Sequence, residues 1–205
     1  PSSYELDVKV VDTEEKLTDL VNVLSASKMI AFDTETTGLD PLQAEIVGIS
    51  LAISEGEGYY IPVGHKDAAN QLPVQQVITA LSPAMTNPEI AKVGHNIKFD
   101  ALALENYGLQ VSPLSFDTMI AEWLVDPASH DLGLKDMADS LLGISMTHIE
   151  EMIGRGKNQI SMDNVPVAAA APYAAADAEV TLRLVPVKRQ RMEERHCTDI
   201  FEKIE

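Results

Sequence analysis

Residues 29–35 read Met-Ile-Ala-Phe-Asp-Thr-Glu and run directly into Thr36-Thr37-Gly38-Leu39-Asp40-Pro41. An apolar, β-rich run that ends in a Gly/Asp/Pro cluster predicts a strand followed by a turn. Side chains two positions apart on a strand leave the same face, so Asp33 and Glu35 project together from the C-terminal end of that strand. Like charges held this close repel one another, and the pair is costly unless water surrounds it or a cation sits between the two groups. The chain must therefore fold so that this strand end opens either to solvent or to a cation site.

Taken alone, a solvated strand end accounts for the motif. Two further acidic motifs shift the balance. Val93-Gly94-His95-Asn96-Ile97-Lys98-Phe99-Asp100 predicts a short strand ending at Gly94 and a helix from about Asn96 to Asn106. On that helix Asn96 and Asp100, four apart, share a face, with Phe99 and Leu102 turned toward the core. Tyr173-Ala174-Ala175-Ala176-Asp177 sits in a helix expected from Ala168 onward. It again places two polar groups four apart, with alanines leaving their face uncrowded. Asp100 by itself fits a solvent-facing helix acid, and Tyr173 by itself fits a core aromatic with its hydroxyl at the rim. Together, however, Asp33, Glu35, Asp100 and Asp177 make four carboxylates, the complement that two divalent ions require. Carboxylate oxygens suit Mg²⁺ or Mn²⁺, and paired ions of this kind drive phosphoryl hydrolysis.

The rest of the chain predicts one α/β domain over residues 1–205. A short strand at 6–11 precedes a helix that starts near Asp12-Thr13-Glu14-Glu15 and runs to about Leu24. Strands at 45–53 and 59–63, joined by the Glu55-Gly56-Glu57-Gly58 turn, form a hairpin with the Asp33 strand, and Pro62 argues for an edge position for the last of them. Helices are expected at 73–84, 116–124 and 132–142, with Pro186 kinking or interrupting the C-terminal helix. Gly154-Arg155-Gly156-Lys157-Asn158-Gln159 reads as a flexible basic loop. It lacks the glycine spacing and hydroxyl residue of a phosphate-binding P-loop.

Composition excludes several classes. The single Cys197 allows no internal disulfide and fits a reducing cytoplasm, and no histidine pairs with Cys or another His at zinc-ligand spacing. The longest weakly polar stretch, 165–176, is broken by Pro166 and Pro172 and is too short to span a bilayer. The net charge of −17, from 15 basic and 32 acidic residues, is unusual for a protein that tracks nucleic-acid backbones. The only strong local positive charge expected is that of bound ions.

Six segments beyond the first strand carry a resemblance. These are Val47-Gly48-Ile49-Ser50, Tyr60-Ile61-Pro62-Val63, Gly94 through Asp100, Phe116-Asp117-Thr118-Met119, Gly156-Lys157-Asn158-Gln159 and Tyr173 through Asp177. With Phe32-Asp33-Thr34-Glu35-Thr36 they span nearly the whole chain, which in them closely resembles the 3′→5′ proofreading exonuclease domain of bacterial family A DNA polymerases, of the DEDD superfamily and ribonuclease H-like fold. The resemblance implies a mixed sheet, an antiparallel hairpin plus parallel strands, flanked by helices. It makes Asp33, Glu35, Asp100 and Asp177 the metal ligands for two divalent ions, Mg²⁺ or Mn²⁺. Tyr173 marks the tyrosine subclass and would orient the attacking water. Leu39 would wedge against the terminal bases, and Thr34, His95, Asn96 and Lys98 would line the substrate groove. The implied partners are a single-stranded DNA 3′ end and a polymerase domain of the same parent chain, with no membrane and a monomeric, cytoplasmic protein. Two departures from the family pattern bear on rate and grip: Ala176 stands where many relatives have an acid, and Ile149 where an aromatic packs on the terminal nucleotides.

The start at Pro1 and the amphipathic ending at 199–205 fit a piece excised from a longer polymerase chain. Two rivals stay open: a free-standing exonuclease on RNA or short oligonucleotides, and a catalytically silent structural domain.

Overall fold

A computed structural model describes residues 4–129 and 131–204, so Pro1 and Glu205 lie outside the described residues. Its strands are β1 (Asp7–Val10), β2 (Met29–Thr36), β3 (Ile46–Ser54), β4 (Glu57–Pro62), β5 (Ala91–Gly94) and β6 (Leu114–Asp117). They form one mixed sheet in the order β1-β4-β3-β2-β5-β6. Strands β2, β3 and β4 are an antiparallel meander, while β5 lies parallel to β2 and β6 parallel to β5. The expected architecture of hairpin plus parallel strands, flanked by helices, is the observed one.

Alternation along β2 divides the core. Ile30 and Phe32 face helices α1 (Glu14–Ser25), α2 (Val74–Met85) and α3 (Ile97–Glu105), where they pack with residues such as Leu20, Leu81 and Ile97. Ala31 faces the other way, toward α4 (Thr118–Val125), α7 (Val167–Glu194) and α8 (Thr198–Ile204), where it joins Ala121, Ala178 and Phe201. Asp33 and Glu35 continue the Ala31 face, so they point at α7.

That helix lies close on the sheet because its first half is rich in alanine. A Cβ placed on Gly58 of β4 would come within 2.9 Å of both the side chain and the carbonyl of Ala175. Small residues on both surfaces are what allow this approach. The helix is not interrupted. It runs through Pro172 and Pro186 for 28 residues, each proline leaving the carbonyl four residues earlier without its usual donor.

Several local expectations are corrected. Strand β4 is internal rather than at an edge, because β1 pairs with it in parallel. Pro62 is tolerated because the last residue pair between the two strands is Val10 with Tyr60. The segment 116–124 is not all helix: Leu114–Asp117 is a strand in the parallel part of the sheet, and α4 begins only at Thr118. Asn96 stands outside α3 as its cap, in the left-handed conformation (φ 58°), so it does not share a helical face with Asp100. Leu102 is exposed, and Ile97, Ala103 and Leu104 carry the buried face instead. The helix expected at 132–142 is a short α5 (Leu134–Met137) followed by a π-helical turn (Ala138–Leu142). A further helix, α6 (Ile149–Ile153), lies in a stretch whose periodicity predicts none. Among the described residues no helix is long and apolar enough to cross a membrane.

Candidate active site

Strand β2 delivers its two acids through a bulge. Its register against β3 pairs Asp33 with Ser50 and Glu35 with Gly48, then shifts between Glu35 and Thr36. Bulges re-aim side chains in this way and end strand pairing. Gly48 has to be glycine, because a Cβ there would run into the Tyr60 ring. The Tyr60 hydroxyl is 2.7 Å from His65 Nε2, and His65 Nδ1 is 2.8 Å from the Val165 carbonyl. A carbonyl can only accept, so Nδ1 carries the proton and Nε2 accepts from the phenol. Burial, then Glu35 and Asp33, raise the Tyr60 phenol far above its ordinary range, which leaves a neutral, hydrogen-bonded floor under two carboxylates.

From α7, Asp177 reaches the same point. One oxygen from each of Asp33, Glu35 and Asp177 lies within 4.8 Å of the others. Asp100 approaches from α3 and is held by Thr34, whose backbone N–H (2.8 Å) and hydroxyl (2.6 Å) both donate to its Oδ1. Asp100 is 3% exposed, so it is not the solvent-facing acid that its position alone allowed. Burial followed by Asp100, Glu35 and Asp177 pushes Asp33 well above the carboxylate range. Burial and then Asp177 push Glu35 up to about 8. Burial lifts Asp100 to about 7 against the pull of the two Thr34 hydrogen bonds. Burial also raises Asp177, opposed by Lys135.

Lys135 answers whether this cluster fits a cation. Its ammonium donates to Asp177 Oδ1 and lies 4.5 Å from the centroid of the Tyr173 ring. A hard donor set of converging carboxylates that already takes one positive charge is the chemistry of a Mg²⁺ or Mn²⁺ site. Tyr173 is buried with its hydroxyl bearing on Asp177, and burial followed by that carboxylate raises the phenol far above its ordinary range. It is a proton-bearing donor, not a base.

The cleft above the acids has a volume of about 820 Å³. Asp33, Thr34, Glu35, Leu39, His95, Asn96, Asp100, Tyr173 and Asp177 all line it. Lys98 does not; it lines a separate depression with Leu102 and Leu114. Thr34 serves chiefly as the clamp on Asp100. The His95 ring bonds the Thr118 hydroxyl at 2.9 Å, and burial lowers it to about 4, so it is neutral at neutral pH. Leu39 stands 94% exposed at the rim, where Ile149 and Ile160 are also exposed. Ala176 is not among the lining residues.

Three contributors are not legible as site residues in the sequence. Lys135 has the spacing of a helix's polar face and nothing more. Asp117 reads as part of a motif, but its carboxylate is buried and accepts the backbone N–H groups of Asn96, Ile97, Met119 and Ile120. It thereby ties the starts of α3 and α4 together and fixes the turn that presents Asp100. Its place just before a helix is the available signal, since Asp is a favoured N-cap. The third is the basic loop. Gly156 and Gln159 line the cleft, and Arg155 and Lys157 beside them are exposed. Local positive charge at the cleft is thus not confined to bound ions.

A family model described as 3′-5′ exonuclease matches residues 8–189. The chain belongs to the 3′-5′ exonuclease family. Within this family it is 44% identical over 208 residues to DNA polymerase I of Chloroflexus aurantiacus, which it matches over 100% of its own length and 22% of the relative's. The chain therefore spans about a fifth of that relative. Among solved structures it superposes on Brucella melitensis NrnC with a TM-score of 0.69 at 26% identity, covering 88% of this chain and 81% of that one. NrnC has been solved with bound Mg²⁺ and bound to pGG. Escherichia coli RNase D, an exoribonuclease, shares the fold: TM-score 0.72, 19% identity, covering 94% of this chain and 47% of that one. The exonuclease fold is thus the ribonuclease H-like one that the motifs implied.

Proposed function

We propose that this exonuclease domain is metal-dependent. On this reading it hydrolyses the terminal phosphodiester of single-stranded or frayed DNA 3′ ends and releases nucleoside 5′-monophosphates. The observation that carries the reading is the convergence of Asp33, Glu35 and Asp177 oxygens within 4.8 Å, at the floor of a cleft whose rim is apolar. Asp33, Glu35, Asp100 and Asp177 would hold two divalent ions, Mg²⁺ or Mn²⁺. Ions held there supply Lewis acidity that activates water and neutralises charge developing on the scissile phosphate. The Tyr173 hydroxyl orients the attacking water. Leu39 and Ile149, exposed at the rim, pack against the last bases, and separating those bases costs less at a mismatch than in a matched duplex. His95, neutral and tied to Thr118, and Asn96 present hydrogen-bonding groups to the strand.

The exonuclease would serve proofreading as one domain of a longer, monomeric and cytoplasmic DNA polymerase I. The polymerase region of the same polypeptide would deliver the primer end at high effective concentration. Such delivery offsets the acidity of this chain, whose net charge of −17 gives a long-range field that repels DNA.

A second reading, an exonuclease acting on short oligonucleotides or RNA, is favoured by the likeness to NrnC, which has been solved bound to pGG. One experiment separates them. Matched DNA and RNA oligonucleotides and a dinucleotide are incubated with the chain and Mg²⁺ or Mn²⁺, and products are resolved by length. Stepwise shortening of DNA from the 3′ end, lost in EDTA, is the expected result. Preference for RNA or the dinucleotide supports the second reading, and no hydrolysis of any of them leaves a silent structural domain.

A further inference from the structure

We propose that Lys135 is a built-in counter-cation of the carboxylate cluster, which a divalent ion must displace in order to load the site. This deepens the metal-dependent reading and rests on it. The backbone that carries Lys135 is fixed from below. It belongs to α5, whose Leu134 and Met137 are buried with Val180 and Leu184 of α7. From that anchor the ammonium reaches between two groups that each favour a cation. It donates to Asp177 Oδ1 on one side and lies 4.5 Å from the Tyr173 ring centroid on the other. The side chain is only 15% exposed, so little water competes for either contact, and both are strengthened by that.

Asp177 is also one of the three acids whose oxygens converge within 4.8 Å. An ion held by those oxygens and the Lys135 ammonium would be like charges sharing one carboxylate. The two cations therefore exclude each other, and the flexible four-carbon stem lets the ammonium turn out. Two consequences follow. Without divalent ions, Lys135 offsets the mutual repulsion of Asp33, Glu35 and Asp177 and keeps the cluster folded. With them, its departure uncovers the face of Tyr173, the residue assigned to orienting water. Ion loading and the release of Tyr173 become one event.

The test compares the parent chain with Lys135→Met, which keeps the apolar stem and removes the charge. Mn²⁺ binding is followed by calorimetry, and thermal unfolding is recorded in EDTA and in saturating Mn²⁺. Lys135→Met is expected to bind Mn²⁺ roughly tenfold more tightly, within the usual range for coupling between two ligand sites. It should unfold at a lower temperature than the parent in EDTA, with the difference narrowing or reversing in Mn²⁺. A lysine that merely supports the fold would lower both unfolding temperatures equally and leave Mn²⁺ affinity unchanged, which would overturn the proposal.

A second measurement needs no variant. Amine-reactive labelling of the parent, read by mass spectrometry, should increase at Lys135 when Ca²⁺ or Mn²⁺ replaces EDTA. Unchanged labelling counts against displacement even if Lys135→Met fails to fold. If the parent binds no Mn²⁺ at all, the metal-dependent reading itself falls. If it binds and Lys135 responds to neither test, only this inference falls.

Discussion

Asp177 and Glu179 are two residues apart on α7 and both are buried, yet they are surrounded in opposite ways. Glu179 is matched by donors: the Tyr4 hydroxyl at 2.9 Å, the Gly56 backbone N–H at 2.7 Å and Arg183 Nε at 2.5 Å. Asp177 faces Glu35 and Asp33, and the cation beside it is Lys135. Further along the helix the pattern of Glu179 recurs, with buried Lys188 and partly exposed Arg191 converging on Glu122. A buried carboxylate is therefore no mark of function. What distinguishes the cluster end of α7 is that acids there are buried against acids. Such a site stores repulsion that a bound cation or a proton relieves.

The comparison breaks most visibly under alanine substitution. Asp177→Ala is expected to lower hydrolysis by several decades, since it removes a group from the proposed ion-holding set. Its stability in EDTA should change little, because the ion pair with Lys135 and the repulsion of Asp33 and Glu35 are lost together. Glu179→Ala should do the reverse. It strips the acceptor from three donors, one of them charged, and should destabilise the fold by on the order of 3 kcal/mol. Activity per folded molecule should survive. Urea unfolding and oligonucleotide hydrolysis on both variants check this, and a stable but inactive Glu179→Ala would show that the two acids were sorted wrongly.

Tyr173→Phe sharpens the same contrast at smaller size. The phenol touches the cluster through Asp177 but contributes no carboxylate, so its loss should slow hydrolysis by roughly 10²–10⁴, the range for one positioned proton-bearing group. Ion affinity should stay close to that of the parent. If calorimetry shows Tyr173→Phe losing Mn²⁺ as completely as Asp177→Ala, Tyr173 belongs to the ion-holding set and not to water positioning.

The acids that face acids are legible in the sequence because the strand period of two and the helical period of four are local. Asp33 with Glu35, and Tyr173 with Asp177, need only those spacings. What joins them is not local. Thr34 clamps Asp100 across 66 positions, and Lys135 meets Asp177 across 42. No periodicity encodes either contact. Strand β6 is hidden in the sequence because four residues leading straight into an apolar helix show no alternation of their own. Pro62 misleads because its missing N–H matters only where a neighbouring strand would use it, and β1 stops short of it. Lys98 is close to Asn96 in sequence, but one step around α3 carries it away from the cleft.

The smallest expected effect is a dependence of stability on pH, and it tests the comparison without touching catalysis. In EDTA the folded state holds protons on Glu35 up to about 8 and on Asp100 up to about 7, both raised first of all by burial. In the unfolded chain the same groups titrate near the ordinary carboxylate values of about 4. Between about pH 4 and about pH 8 these two groups thus bind more protons in the folded state than in the unfolded one, and their contribution to stability falls as pH rises through that window. The contribution is fully present below the unfolded values and is lost once pH passes the folded ones. Glu35→Gln should remove part of this slope, because a neutral amide meets neither Asp177 nor a desolvation cost for charge. Glu179→Gln should leave the slope in place, since the acid it replaces is matched by donors rather than facing other acids. Saturating Mg²⁺ should flatten the parent's slope as well, as ions bind the deprotonated carboxylates and offset their repulsion. Unfolding temperatures of the three proteins across this pH range, with EDTA or Mg²⁺, supply the check. Equal slopes for the parent and Glu35→Gln would mean that the cluster is relaxed by water, and that its acids are not buried against one another after all.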